Sequence, residues 1–382
     1  PDAVGGSKAA TAVDFDLDDI LLEKSFKADD FTIAAGGTLN MGYRLNLAET
    51  GQQLDYDKLA TLSEGQSASI ANVSYCFAAD ALPSDWDEPL WVENPDRTSN
   101  PAKYLLLKDI KAAADDLSAN GTASEYYGLY KGLLDKQVMT NGNPGAGPYF
   151  QLKVDGVYLP LQLIGICQDT KSDGTGKAGL TFQMRDVYAH GNERSADAGL
   201  GTFDTFMNPS ATNSDGWLNS AMRERLSGRK ADGSASAMWP TFWGYLPTEM
   251  QGAIVGVDKF QQLYIGPTFN SSPSYLQKTS GETIWLPSAF EVFGASLASC
   301  NESEALATAP GYVPFQYMAY QPGGTGATNA RATKTYNGSA HYWWLRSAIR
   351  DYDTSFCVVD SNGTRYGISG TYTSGAAPAF CL

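Results

Sequence analysis

The chain has 382 residues, of which 43% are hydrophobic and 18% charged, so it can bury a sizeable core. Asp and Glu number 42 against 27 Lys and Arg, which gives a net charge of −15. Such an acidic chain repels polyanions, and it has no run of about 18 apolar residues, so we expect neither a nucleic-acid partner nor membrane insertion.

The first 147 residues form a predicted N-terminal region of mixed structure. The chain begins with small residues rather than a basic and then apolar segment, so no secretory signal peptide is visible in this numbering. Short alternating runs over residues 31–45 indicate strands, and apolar residues at helical spacing over 103–136 indicate helices. The segment 141–148 is rich in Gly, Asn and Pro, and we place the domain boundary there, between residues 147 and 148.

The second region opens with a predicted β-hairpin. Residues 149–165 alternate between apolar and polar side chains, and Asp155-Gly156 lies at the turn, which is a strong hairpin signal. A helix is predicted over residues 214–225, with Ser214 or Asp215 as its N-terminal cap.

Further short elements are predicted towards the C-terminus. A strand over 283–287 precedes a short capped helix over 288–293. Residues 302–340 are rich in Ala, Gly, Thr and Pro, which predicts long surface loops. The last forty residues contain three predicted strands with the sequences HYWWLR, SFCVVD and RYGIS, separated by turns.

No familiar catalytic or metal-binding motif is complete in this sequence. Gly174-Thr175-Gly176-Lys177 resembles part of a phosphate-binding loop, but Ala178 replaces the required Ser or Thr. The segment 169–174 departs from a calcium loop because Lys171 stands where a ligand belongs. The two His residues lie far apart, and neither neighbours a Cys or carboxylate pair. We therefore expect no cofactor and no metal.

The cysteines are few, odd in number and widely spread. They are Cys76, Cys167, Cys300, Cys357 and Cys381. No CxxC motif occurs, which argues against a disulfide framework or a zinc ribbon and favours mostly buried thiols. A single bridge stays open, with Cys357 and Cys381 as its best candidates.

One segment near the C-terminus has an unusual composition. Residues 349–374 contain no Lys, Glu, Gln, Met or Trp, the five amino acids that no codon ending in a pyrimidine encodes. The segment is dense in Asp, Tyr, Ser, Thr, Asn and Arg. Such side chains form adaptable binding surfaces, in which Tyr gives a large contact area at small entropic cost. An ordinary polar region of strands and turns would also explain this composition, so that alternative stays open.

Several motifs together resemble one protein family. They are Trp217-Leu218-Asn219, Ile284-Trp285-Leu286-Pro287, Glu291-Val292-Phe293-Gly294, Tyr342-Trp343-Trp344-Leu345-Arg346-Ser347, Phe356, Gly363 and Ala377-Pro378-Ala379-Phe380-Cys381-Leu382. This pattern resembles bacterial and phage domains of the formylglycine-generating-enzyme branch of the C-type lectin fold. Many of those domains are the variable proteins of diversity-generating retroelements. The resemblance covers about residues 148–382 and does not extend into residues 1–147.

The resemblance implies an α+β fold, with a C-type lectin-like ligand-binding domain over residues 148–382 preceded by the smaller N-terminal mixed region. Such a domain has a twisted antiparallel sheet, two helices and long loops. In this family a reverse transcriptase copies a template and randomises its adenines, which creates a variable region that here would span about residues 341–374. The implied ligand-contacting positions are Ile349, Asp351, Tyr352, Asp353, Ser355, Val358, Asp360, Thr364, Tyr366, Ile368, Thr371 and Tyr372, with His341 and Tyr342 as weaker candidates.

The resemblance also implies an unchanging frame beneath the variable positions. The implied frame residues are Trp343, Trp344, Leu345, Phe356 and Phe380. Arg346 would hold a loop through a charge-assisted hydrogen bond. Because strands direct alternate side chains to opposite faces, we expect one face to anchor the core while the other varies.

The function implied is that of a non-catalytic binding protein. Its diversified surface would recognise a protein or glycan receptor on a target cell, from a phage tail or a bacterial surface. Residues 1–147 would tether or oligomerise the chain, and self-association into a homo-oligomer stays open. Gln321-Pro322-Gly323 lacks the acid of a calcium-dependent sugar-binding loop, so that activity is not expected.

Two alternative functions stay open. A thiol-dependent oxidase relative of the formylglycine-generating enzymes would need Cys357 and Cys381 close together, although that enzyme motif places its two cysteines only a few residues apart. A structural virion or surface protein would instead pack the tyrosine-rich segment against neighbouring subunits.

Overall fold

The computed structural model divides the chain into two compact units, Pro1–Asp87 and Glu88–Leu382. The residues described in the second unit are 88–95, 104–137, 148–188, 206–213, 216–236, 241–262, 276–294, 315–317, 328–336, 339–349 and 352–382. In the first unit three strands are described, β1 (Thr38–Asn40), β2 (Ser67–Ile70) and β3 (Val73–Cys76). Strand β3 lies between the others, parallel to β1 and antiparallel to β2. The rest of the predicted strand region at 31–45 lies outside the described residues.

The main sheet of the second unit has six antiparallel strands in the order β16-β8-β7-β6-β4-β5. They are β4 (Leu90–Glu93), β5 (Tyr104–Leu106), β6 (Phe150–Val154), β7 (Val157–Ile166), β8 (Leu180–Met184) and β16 (Ala379–Cys381). The predicted hairpin is confirmed as β6 and β7, and Asp155 and Gly156 both have positive φ angles at its turn. Every residue of β8 is buried, which places this strand at the centre of the core.

Two helices lie against this sheet, as the pattern over 103–136 predicts. They are α1 (Leu107–Asn120) and α2 (Tyr127–Gln137). Helix α1 buries an apolar stripe that includes Ile110 and Leu117, and Tyr130 of α2 stacks on the ring of Phe150. Gly179 permits the close approach of α1, because an added Cβ would lie 1.9 Å from the carbonyl oxygen of Ala114.

Strands β4 and β5 correct the predicted domain boundary. Both precede residue 147, yet they pair within the same sheet as β6 and β7. The division between the two compact units falls between residues 87 and 88 rather than between 147 and 148. The Gly- and Pro-rich segment therefore marks a connection within the second unit and not a boundary between domains.

The middle of the second unit consists of short elements. They are α3 (Ala221–Ser227), α4 (Phe242–Tyr245), α5 (Thr248–Ala253), β9 (Val257–Gln262), β10 (Leu276–Glu282) and α6 (Ala289–Phe293). The predicted helix at 214–225 begins later, because the capping side chain is Ser220, which accepts a hydrogen bond from the N–H of Arg223. The predicted strand at 283–287 is reduced to one bridge between Trp285 and Ala379. Helix α6 is confirmed.

The C-terminal part contributes two further antiparallel sheets. They consist of β11 (Lys334–Tyr336) with β12 (Ser339–His341), and of β13 (Trp343–Ala348), β14 (Ser355–Val359) and β15 (Arg365–Ser369). The three strands predicted here are confirmed. Strands β11 and β12 replace part of the loop region predicted over 302–340.

The second unit is thus α+β, with antiparallel sheets and a few short helices around one core of buried residues from Leu90 to Leu382. Within the described part of the chain, no helix is long and apolar enough to cross a lipid bilayer.

Candidate binding surface

Exposed tyrosines mark the C-terminal part of the second unit. Among the described residues five large apolar side chains are prominently exposed, and four of them are Tyr342, Tyr352, Tyr366 and Tyr372. Tyr352, Tyr366 and Tyr372 are exposed to 65%, 59% and 63%. Large aromatic rings are costly to leave in water, so a group of exposed tyrosines is a candidate for an interaction site.

Main-chain contacts bring the loops that carry these tyrosines together. The N–H of Gly370 donates to the carbonyl of Thr354 at 2.7 Å, which joins the loop of Tyr352 to the loop of Tyr372. Tyr366 lies on β15, three residues before Ser369. Three residues of a strand span about 10 Å, which is the distance along β15 between Tyr366 and Ser369. We use the name tyrosine surface for one set of exposed side chains. These are Tyr342, Tyr352, Asp353, Tyr366, Thr371 and Tyr372.

The predicted frame residues all lie in the core. Trp343, Trp344, Leu345, Phe356 and Phe380 have no exposed surface. The indole N–H of Trp343 donates to the carbonyl of Ala332 at 2.8 Å, so its polar atom is satisfied as well. The strands that carry the loops of the tyrosine surface therefore contain aromatic side chains packed in the core, and close packing restricts their movement.

The strands do not divide into one core face and one variable face. Phe356, Cys357, Val358 and Val359 of β14 are all buried, so this central strand is covered on both sides. Among the described residues of this three-stranded sheet, the exposed one is Tyr366 of the edge strand β15, and the other exposed residues of the segment 349–374 lie in loops. The expectation that alternation along the strands separates anchor from variable positions is therefore wrong for β14.

Several of the implied contact positions are not on the surface. Ile349 and Val358 are buried, exposed to 3% and 0%. Ile349 packs over Gly367, where an added Cβ would lie 2.9 Å from its Cδ1 atom. Ile368 is half-buried and packs against the core. These three side chains are held by the packing of the sheet, so a ligand at the surface would not contact Ile349 or Val358.

Other implied positions are distributed between the surface and the turns. Tyr352, Asp353, Tyr366, Thr371, Tyr372 and Tyr342 are exposed, whereas Ser355, Asp360, Thr364 and His341 are partly buried. The ring of His341 lies 6.1 Å from that of Tyr336. Asp351 lies outside the described residues.

Asp360 shapes the turn between β14 and β15. Its Oδ1 atom accepts hydrogen bonds from the N–H groups of Asn362 and Thr364, both at 2.8 Å. Gly363 in this turn has φ +76°, and its carbonyl accepts from the N–H of Asn329 at 2.7 Å. One carboxylate oxygen of Asp360 thus serves the turn itself, as is common for Asp in tight turns.

The loop between β13 and β14 is held from a distant part of the chain. The side-chain amide of Asn213 donates to the carbonyls of Ile349, Tyr352 and Ser355 at 3.1, 2.7 and 2.6 Å. The main-chain N–H of Asn213 donates to the carbonyl of Asp353 at 2.7 Å. Asn213 has no exposed surface. The sequence contains no signal for this role, because the partners lie about 140 residues away.

A buried group of four charges lies beneath β13. Arg346 pairs with Glu291, and Lys259 bridges Glu291 and Asp169. Arg346 also donates to the carbonyls of Phe260 and Leu286, which is the charge-assisted anchoring predicted for it. Burial alone would raise the pKa of Glu291, but the neighbouring charges of Arg346 and Lys259 outweigh it and hold the pKa at about 2. Glu291 therefore stays ionised at neutral pH although it is buried.

The state of Cys381 contradicts the disulfide predicted between Cys357 and Cys381. Cys381 is a free thiol, so the Cys357–Cys381 pairing is wrong, and Cys357 is disulfide-bonded to a partner outside the described side chains. Cys381 is fully buried, and burial followed by the charge of Asp169 raises its pKa well above the ordinary value. Cys381 therefore remains protonated and shielded from water. Within the described part of the chain, no three His, Cys, Asp or Glu side chains converge as metal ligands would.

Comparison with known families gives one match. Residues 202–382, just under half of the chain, match a family described as a domain of unknown function (DUF6273). The match includes the tyrosine surface, Asn213 and three of the four buried charges, namely Lys259, Glu291 and Arg346. No curated protein and no solved structure matches the chain.

Proposed function

We propose that the chain is a non-catalytic recognition protein whose tyrosine surface binds a receptor on a target cell. The observation that carries this proposal is the concentration of exposed tyrosines over a fully buried aromatic frame. Tyr352, Tyr366 and Tyr372 offer large amphipathic contact areas with few rotatable bonds, which is the usual chemistry of adaptable binding surfaces. A backbone that is already ordered limits the entropy lost on binding.

The fold family belongs to the same proposal. We infer a C-type lectin-like domain of the formylglycine-generating-enzyme branch, used as the variable protein of a diversity-generating retroelement. The α+β architecture and the burial of the motif tryptophans are compatible with this inference. Strands β4 and β5 would then extend the domain upstream to residue 88. Display on a phage tail or a bacterial surface follows from the family and is part of the proposal.

The surface proposed to vary is smaller than the sequence implies. Exposed positions on loops and on β15 can accept any side chain, since exposed substitutions seldom change stability by more than about 0.5 kcal/mol. Ile349 and Val358 do not fit this requirement because they are buried. We therefore assign ligand contact to the tyrosine surface and assign Ile349 and Val358 to the core.

A randomised display library tests the proposal. Codons for Tyr352, Asp353, Tyr366, Thr371 and Tyr372 are randomised, and the library is displayed on yeast and selected against two purified globular proteins and one branched glycan. A control library randomises an exposed face of helix α1. Its positions are Lys108, Ala112, Asp115 and Ala119.

We expect the tyrosine-surface library to be displayed as efficiently as the control library and to yield more binders. Selection against protein and glycan separately indicates which receptor class the surface favours. A collapse of display in the tyrosine-surface library alone would show that these side chains are structural, and it would contradict the proposal.

A further inference from the structure

Asn213 holds the loop between Ile349 and Ser355 through hydrogen bonds to main-chain atoms of the loop. Asn213 reaches four of its carbonyl groups, three through the side-chain amide and one through the main-chain N–H. Within the loop, the N–H of Ile349 donates to the carbonyl of Ser355 at 2.8 Å. Every one of these bonds ends on a main-chain oxygen, which is present whatever residue occupies the position.

Asn213 is itself held rigidly. The preceding Asn208 donates its side-chain amide to the carbonyl of Thr212 at 2.9 Å and accepts a hydrogen bond from the N–H of Ala221 at the start of α3. The N–H of Asn208 also donates to the carbonyl of Gly370, in the loop of Tyr372. The segment 206–213 therefore connects helix α3 to both loops of the tyrosine surface.

The chemistry requires an amide at position 213. An amide nitrogen carries two N–H donors, and here they are shared among three carbonyl oxygens. A carboxylate has only acceptor atoms and would face the same oxygens with a negative charge. Among the described residues the buried Oδ1 atom of Asn213 has no hydrogen-bond partner, a cost that the donor side of the group must offset.

We infer that Asn213 is the positioning residue of the recognition loop, and that it keeps the backbone there in one conformation whichever side chains stand at positions 352–354. This inference rests on the proposed function, because it explains how the identity of Tyr352 and Asp353 can change while the geometry of their presentation stays the same. Asn213 contacts no ligand in this account. It acts through the loop backbone.

Hydrogen–deuterium exchange of the full chain, without any ligand, tests the inference. Exchange is measured by mass spectrometry on peptides covering 349–355 and is normalised to the unfolded chain at each pH. We expect Asn213→Asp at pH 8 to accelerate exchange of this peptide at least about tenfold, because about one net hydrogen bond or more is lost and a charge is placed against carbonyl oxygens. Burial raises the pKa of the introduced carboxyl, so lowering the pH to 6 protonates it, restores one donor and slows exchange again.

Three further variants separate positioning from general stability. Asn213→Ala should accelerate exchange of the same peptide to the same extent at pH 8 and at pH 6. Tyr352→Ala combined with Asp353→Ala should leave its exchange within about twofold of the wild type. Asn329 is similarly buried, but its side-chain amide donates to the carbonyl of Val292, so Asn329→Asp should leave residues 349–355 protected.

Two results would overturn the inference. One is an unchanged 349–355 peptide in both Asn213 variants. The other is uniform exposure of the whole second unit in both variants at either pH, which would make Asn213 an ordinary core residue. Either result leaves the proposed recognition function standing, since that function is tested separately by the randomised library.

Discussion

At the level of single residues, exposure separates two kinds of aromatic side chain within one short segment. Tyr352, Tyr366 and Tyr372 are mostly exposed, whereas Trp344 and Phe356 have no exposed surface. Removing a buried aromatic side chain leaves a cavity and costs about 3–5 kcal/mol, whereas exposed substitutions usually change stability by about 0.5 kcal/mol or less. The segment therefore combines buried positions that determine stability with exposed positions at which a substitution should cost little stability.

The three exposed tyrosines give the first prediction. We expect Tyr352→Ala, Tyr366→Ala and Tyr372→Ala combined to lower the melting temperature by at most about 5 °C, because little packing is lost. Phe356→Ala is the control and should cost about 3–5 kcal/mol. Circular dichroism during heating measures both. If the triple variant is as unstable as the control, these tyrosines belong to the core and the tyrosine surface does not exist as described.

Glu291 gives the second prediction, which concerns pH. Its pKa is about 2 in the folded protein and about 4.3 in an unfolded chain, so the unfolded state binds more protons between these values. The stability that Glu291 contributes is therefore complete above about pH 4.3 and is lost as the pH falls towards 2. Urea unfolding between pH 5 and 2.5 should show this loss.

The variant Glu291→Gln isolates this contribution. It leaves Arg346 buried without its carboxylate partner, and we expect a cost of about 3–5 kcal/mol at pH 7. Its stability should then fall less steeply than that of the wild type between pH 4.3 and 2. Parallel pH profiles for the two proteins would show that Glu291 does not titrate as described.

At the level of elements, the tyrosine surface consists of loops and one edge strand around a doubly covered strand. Strand β14 is buried on both sides, and the turn that follows it is fixed by Asp360 and by the contact between Gly363 and Asn329. The sheet therefore supplies stiffness, while the loops and β15 supply the exposed side chains.

Gly363 gives a prediction at this level. Its φ is +76°, and an added Cβ would lie 2.3 Å from the carbonyl oxygen of Asn329. Gly233 has φ +81° and nothing within 4 Å of the added Cβ, so it controls for backbone strain alone. We expect Gly363→Ala to be less stable than Gly233→Ala by at least about 1 kcal/mol, since only the former must displace main-chain atoms. Equal losses in urea unfolding would mean that the turn tolerates the displacement.

Local signals in the sequence predict local elements well. The Asp155-Gly156 turn, the three C-terminal strands and the capped helix α6 each depend on neighbouring residues, and each is confirmed. The predicted start of α3 at residue 214 is wrong, because the capping side chain is that of Ser220. The role of Asn213 depends on contacts about 140 residues away, which no local pattern contains.

At the level of the whole molecule, the second unit has one core that begins before the predicted boundary. Strands β4 and β5 and helices α1 and α2 lie upstream of residue 147, and they bury side chains such as Leu90, Ile110 and Leu133 with no exposed surface. The domain boundary predicted from the Gly- and Pro-rich segment at 141–148 is wrong, because such composition marks a loop whether or not a domain ends there.

Truncation tests this organisation directly. We expect residues 88–382 to unfold cooperatively on their own, and residues 148–382 to be insoluble or molten, because removing β4, β5, α1 and α2 uncovers one side of the main sheet. Near-ultraviolet circular dichroism and urea unfolding distinguish the two. A cooperative transition for 148–382 would restore the boundary at residue 147.

The most direct test of the proposed diversified recognition surface is the DNA sequence beside the gene. We predict a near-copy of the codons for residues 341–382 that differs from them at adenines, next to a reverse-transcriptase gene. Among sibling sequences, the differences should concentrate at Tyr352, Asp353, Tyr366, Thr371 and Tyr372. The account is contradicted if the flanking DNA contains neither a second copy nor a reverse-transcriptase gene in every genome that carries the gene.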